Sequence, residues 1–265
     1  VLDSLFNLKP MNLKINFLDN NIVIAGTFYQ MITFDPQNPT PYNTILSANQ
    51  KDIFLACIDT NYNFLWAKRA GGNENDVLND MIVYDQSIYI TGSFMSNMNF
   101  NTPSSFSFNV LTSKGPGDMY IAKYDRFGNP IWFYSGGSLH DGYNEYVSRD
   151  NAISMCANKH GIYIIGSAED DAFFNGKDTT ISVFEGAGYL DEGFQGIFMA
   201  HYDHSGNIKF VKDLKGFYYL KTPAISAADH YIVVSSYIRE SYTEYSSYYH
   251  KTFEFNTTQF TKQAI

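Results

Sequence analysis

Four related phrases divide this chain: "NNIVIAGTF" at 20–28, "QSIYITGSF" at 86–94, "HGIYIIGSA" at 160–168, and a degraded "HYIVVSSYI" at 230–238. Their matched glycines are Gly26, Gly92 and Gly166, separated by 66 and 74 residues. A period near 70 predicts a fold stacked from like units, each too small to bury its apolar face alone. A second phrase keeps the same period, as "LACIDTNYNFLW" at 55–66, "IAKYDRFGNPIW" at 121–132 and "MAHYDHSGNIKF" at 199–210.

Each period holds four short runs rich in β-branched and aromatic residues and bounded by Asn, Asp, Gly or Ser. In the second period these are 80–84, 87–94, 118–125 and 130–134. No segment sustains a helical apolar period. The expected class is all-β, as a β-propeller segment of about three and a half four-stranded antiparallel blades. The blades fall at about 11–72, 79–134 and 151–213, with an incomplete one at 222–265. In the phrase at 121–132, Asp125 can accept a backbone N–H two residues on, and Gly128 can take positive φ. The pair predicts a tight hairpin turn between third and fourth strands, repeated by Asp203 and Gly206. In the first copy Tyr62 replaces the glycine, so Asn61 is expected in the left-handed position. Trp66, Trp132 and Phe210 share one site as large side chains packed between neighbouring sheets. His201, in "HYDH" (201–204), aligns with Lys123 and Cys57 and reads as a solvent-facing position.

These elements, carried by "DIFLACID", "LWAKRAGG", "DMIVYDQSIYITGSF", "DMYIAKYDRFGNPIWFYSGG" and "NAISMCANKHGIYIIGSA", resemble the SBBP repeat of bacterial β-propellers. The resemblance spans residues from about 11 to 240 and fades toward the C-terminus, where "DLKG" (213–216) replaces the double glycine. It implies a secreted or surface-associated scaffold and specifies no activity.

Composition narrows the role. A net charge of −9, with 18 basic and 27 acidic residues and no basic run, disfavours nucleic acid and anionic membrane surfaces. No apolar run reaches the roughly 18 residues of a membrane-spanning helix. The opening "VLDSLFNLKP" does not read as a signal peptide, and the first residue is not Met, which fits a removed leader or a longer N-terminal part. Cys57 and Cys156 stand in different blades without metal-ligand spacing and read as small buried hydrophobes. The six histidines show no ligand spacing, and no nucleophile motif, phosphate-binding glycine loop or sialidase-type Asp box is present. The double glycines at 71–72 and 136–137 read as loop punctuation. No catalytic or cofactor-binding residue is predicted.

Acidic loop clusters remain: "NEND" (73–76), "HDGYNE" (140–145), "EDD" (169–171) and "DEG" (191–193). Ca²⁺ is the cation such loops could hold, although none has a known ligand spacing. Strand parity places the tight turns 18–21, 84–87, 158–161 and the Asp turns at one edge of the sheets. The long, irregular connections 29–51, 95–117, 135–150 and 169–195 fall at the other. Binding usually sits on such long loops. The expected interaction face comprises Glu74, Asp76, Asp141, Tyr143, Glu145, Tyr146, Glu169, Asp170, Asp171, Tyr189, Asp191 and Glu192.

The predicted role is a non-catalytic binding or structural module on a cell envelope, virion surface or in the extracellular space, with a protein or glycan partner. The alternative is a propeller enzyme acting on a carbohydrate or redox substrate near the central channel. Because the chain stops where a third strand of the fourth blade is expected, further blades from the same polypeptide or a second chain should complete the ring. About seven blades at this period need roughly 490 residues.

Overall fold

The computed structural model describes residues 11–100, 110–138, 150–168, 172–174, 177–181, 196–214, 221–229, 231–239 and 248–256. Every regular element among them is a strand. In chain order these are β1 (Met11–Leu18), β2 (Asn21–Thr33), β3 (Thr44–Asp59), β4 (Phe64–Ala70), β5 (Asp76–Tyr84), β6 (Ser87–Phe94), β7 (Asn97–Asn99), β8 (Val110–Thr112), β9 (Asp118–Tyr124) and β10 (Pro130–Gly137). They continue as β11 (Asn151–Asn158), β12 (Gly161–Ala168), β13 (Ala172–Phe174), β14 (Lys177–Ile181), β15 (Gly196–Tyr202), β16 (Ile208–Asp213), β17 (Lys221–Ala227), β18 (Tyr231–Arg239) and β19 (Tyr248–Asn256).

The repeat appears as sequential antiparallel sheets. Two have the orders β1-β2-β3-β4 and β11-β12-β15-β16, and a third runs β17-β18-β19. The second period lies in a six-stranded sheet of order β14-β13-β10-β9-β6-β5, beside a small β7-β8 ladder. The ladders β1–β2, β2–β3 and β11–β12 are antiparallel, as short connections between consecutive strands allow.

The chain divides into two compact units, Val1–Ser113 with Ile121–Phe133, and Lys114–Tyr120 with Tyr134–Ile265. In the first unit Ile24, Phe28, Ile32, Phe34, Phe54, Ala56 and Ile58 form one core cluster. β2 and β3 stay paired to Thr33↔Thr44, and Phe34, just beyond β2, turns back onto Phe64 and Phe54, with ring centroids 5.8 and 5.5 Å away. In the second unit Tyr163, Ile165, Ile197, Met199, Leu214, Ile225, Ile232 and Val234 pack together, joining strands of two repeats. Burying each such side chain contributes about 1.5–3 kcal/mol.

Two expectations are corrected. The connections at 29–51, 95–117 and 169–195 are not simply irregular. The first is an extended β2–β3 hairpin, the second contains β7 and β8, and the third contains β13 and β14. In the fourth period the tail supplies the third strand itself, with β19 paired to β18 from Tyr231↔Asn256 to Arg239↔Tyr248. The alternation in "HKTFEFN" (250–256) is a strand pattern, but it lacks the Asp turn that marks the other third strands.

Candidate interaction face

The three Asp turns share one geometry. Asp125 Oδ1 accepts from Phe127 N and Asn129 N, both at 2.8 Å, and Asn129 Nδ2 donates to Asp125 Oδ2 at 2.9 Å. Asp59 makes the same bonds with Asn61 and Asn63, and Asp203 with Ser205 and Asn207. Each aspartate therefore folds its own turn, as expected. Its fixed Asn partner four residues on is a second signal, visible in all three phrases but missed in the sequence. These bonds hold the Asp59 carboxyl below the usual carboxylate range, with Asn63 the main cause. At Asp203 partial burial pushes upward, but hydrogen bonds from Lys209 and Asn207 outweigh it and the carboxyl is also held low.

The left-handed residue of the turn is Gly128 at φ 74° and Gly206 at φ 87°. In the first copy it is Tyr62, at φ 67°, rather than Asn61. The turn conserves its geometry by position, so Tyr62 bears the strain. Trp66 and Trp132 are half-buried. The Trp66 ring lies against Gly128 of the following repeat, whereas Trp132 packs on Tyr89 of its own sheet, with centroids 6.0 Å apart.

Strand parity brings the tight turns together within each unit. In the first, Asp19 accepts from Gln86 and pairs with Arg126 at 3.1 Å, joining three turns. In the second, Asn158 Nδ2 donates to Ala228 O at 2.8 Å and Lys159 pairs with Asp229 at 3.0 Å. His201 is buried rather than solvent-facing. Its Nε2 lies 3.1 Å from His160 O and its ring stacks on Tyr163 at 4.2 Å. Burial pushes its pKa down to about 4.

At the opposite edge, only part of the predicted acidic face falls among the described residues. Glu74 is half-buried and accepts from Gln50 Nε2 at 2.6 Å, which clasps its loop to the β2–β3 hairpin. Asp76 is a correction. It is fully buried and its carboxylate belongs to the interior, because it opens β5 and accepts from Gly72 N at 2.7 Å. Asp141, Tyr143, Glu145, Tyr146, Glu169, Asp170, Asp171, Tyr189, Asp191 and Glu192 lie outside the described residues.

The hairpin adds contact area that the sequence reading missed. Met31 and Leu46 are cross-strand partners and both exposed, Leu46 to 63%. Tyr29 is exposed nearby, and Tyr42 at the tip is 87% exposed. The tip itself is ordered by Asn43, which accepts from Thr40 N at 2.8 Å and donates to Asn38 O at 3.0 Å. Gln30 at φ 66° interrupts the β2–β3 register between Tyr29 and Met31, and its N–H goes to Ser47 Oγ. Alternation in "TFYQMITF" marks a strand, but the exposure of its apolar residues depends on the ladder outrunning the sheet.

The sequence reading also missed a set of interior carboxylates. Asp118 opens the third strand β9 and Asp52 holds the matching position within β3, while Asp76 opens the first strand β5 and Asp150 directly precedes the matching β11. All four are buried. Asp52 Oδ2 accepts from Ala48 N and Arg69 Nη1, each at 2.9 Å. Asp118 accepts from Lys114 N and Gly115 N at 3.0 and 3.2 Å. Asp150 Oδ2 accepts from both the N–H and the hydroxyl of Ser138. Asp76, Asp118 and Asp150 thus tether the segment ahead of their strands, and Asp52 ties back to Ala48 within β3. The double glycines are more than punctuation: a Cβ on Gly71 would lie 2.3 Å from Asp52 Oδ1, so only glycine admits the carboxylate. Cys57 and Cys156 are buried free thiols. No protein-family model matches the chain, and a search of curated proteins finds no match.

Proposed function

We propose that this chain is a β-propeller segment, related to SBBP-type repeats, that works as a non-catalytic binding or structural module on an exposed surface. Its partner is a protein or a glycan, met by the long-connection edge of the sheets. The observation that carries this reading is the β2–β3 hairpin, an ordered projection bearing Tyr29, Met31, Tyr42 and Leu46 in water. Exposed aromatic and Met side chains on a rigid support are the usual anchors of protein contacts. The polar residues of the repeat support it as well. The Asp turns, His201 and the interior aspartates are all engaged in holding the sheets and loops together.

The test is binding of the full chain to a glycan array and to candidate surface proteins, against a variant carrying Met31→Asp and Leu46→Asp. Specific binding that the variant loses, with an unchanged circular dichroism spectrum, supports the reading. Turnover of a glycoside or redox substrate at an undiminished rate in that variant overturns it.

A further inference from the structure

The buried aspartates come in pairs. Asp52 with Asp76, and Asp118 with Asp150, stand where one repeat hands over to the next, each pair beside a double glycine. A Cβ on Gly137 would lie 2.7 Å from Asp118 Oδ1 and 2.8 Å from Asp150 Oδ2, so the two oxygens are within about 5.5 Å of each other. In the first pair Asp52 Oδ1 and Asp76 Oδ1 are both buried, and neither has a hydrogen-bond donor among the described residues. The charged groups acting on Asp76 are Asp52 and Arg69, and those acting on Asp118 are Asp150 and Lys114. At the first junction Arg69 faces both carboxylates, and at the second Asp150 and Lys114 act on Asp118 with opposite sign. Two carboxylates this close and removed from water do not both stay ionised without a large cost.

We propose that each pair holds one proton in the folded protein, so that both repeat junctions are tightened by acid and loosened by alkali. A proton removes the excess negative charge and turns an orphaned acceptor into a donor. The direction of each titration agrees: burial first, then the neighbouring carboxylate, pushes Asp76 up to about 8 and Asp118 up to about 7, against hydrogen bonds that pull down. The third junction lacks the device, since Gly196 and Leu220 occupy the matching positions.

The sign follows from linkage. An unfolded carboxyl loses its proton near pH 4 while the folded pair keeps it to about pH 7–8, so stability falls as pH rises through that interval. Each retained proton raises the unfolding constant about tenfold per pH unit, or about 1.4 kcal/mol. Urea unfolding of the full chain between pH 5 and 9 tests this, comparing it with Asp76→Asn, Asp118→Asn and the double variant. Asparagine keeps the shape and cannot ionise. Each single variant should lose one tenfold-per-unit slope between pH 5 and 7, and each should exceed the parent in stability at pH 9. Infrared spectroscopy of the unmodified chain supplies a readout that needs no variant, a protonated-carboxyl C=O band at pH 6 that disappears by pH 9. Absence of that band, or slopes equal to the parent's, overturns the proposal. So does a Ca²⁺-dependent rise in melting temperature that Asp76→Asn abolishes, because it assigns the pair to a cation.

Discussion

Replacing Gly128 with alanine probes the Asp turn and the packing between repeats at once. Gly128 has φ 74°, and an alanine there takes a left-handed conformation at about 1–2 kcal/mol. The new methyl would also lie 2.6 Å from Trp66 Cζ3, 2.8 Å from Cε3 and 3.0 Å from Lys68 Cγ. An indole plane cannot yield as a lysine chain does, so the ring must shift, at about 1–3 kcal/mol for such overpacking. The expected loss is about 2–5 kcal/mol. Urea unfolding followed by fluorescence reads it directly, because Trp66 is one of only two tryptophans and sits at the perturbation. Combining Gly128→Ala with Trp66→Leu separates the two costs: the clash disappears, the backbone cost stays, and the cycle should show a coupling of about 1–3 kcal/mol. A loss below about 0.5 kcal/mol for Gly128→Ala, or zero coupling, would refute this account of the turn.

The same turn predicts the opposite outcome at Tyr62, where Tyr62→Asn should hold stability or raise it by up to about 1 kcal/mol in the same assay, since Asn tolerates φ 67°. Asp125→Ala should cost about 1–2 kcal/mol by leaving the N–H groups of Phe127 and Asn129 without their acceptor, a loss comparable to that of a helix cap. His201 is held neutral by burial, with its pKa near 4 against an ordinary 6.5. Its unfolded form gains a proton below about pH 6.5 that the folded form refuses, so stability should fall by up to roughly 3 kcal/mol as pH drops from 6.5 to 4. His201→Phe should remove that slope, and a persisting slope would reassign it to other groups.

The chain's own order of residues determined the repeat, the all-β class and the Asp turns. Those features rest on interactions between residues a few positions apart: alternation along a strand, an Asp accepting from N–H groups two and four residues on, a glycine at positive φ. Strand parity is also local information, which is why the convergence of Asp19, Gln86 and Arg126 at one edge follows from it. Tertiary structure decided everything that depends on what lies opposite. Asp76 and Glu74 are two residues apart in one acidic cluster, yet one is sealed inside and the other reaches Gln50 at the surface. His201 aligns with Lys123 but is buried under Tyr163, and Met31 and Leu46 are exposed because their ladder extends beyond its sheet. Burial is set by the neighbouring strand, and two interior aspartates distant in sequence become one titrating pair only when consecutive repeats pack.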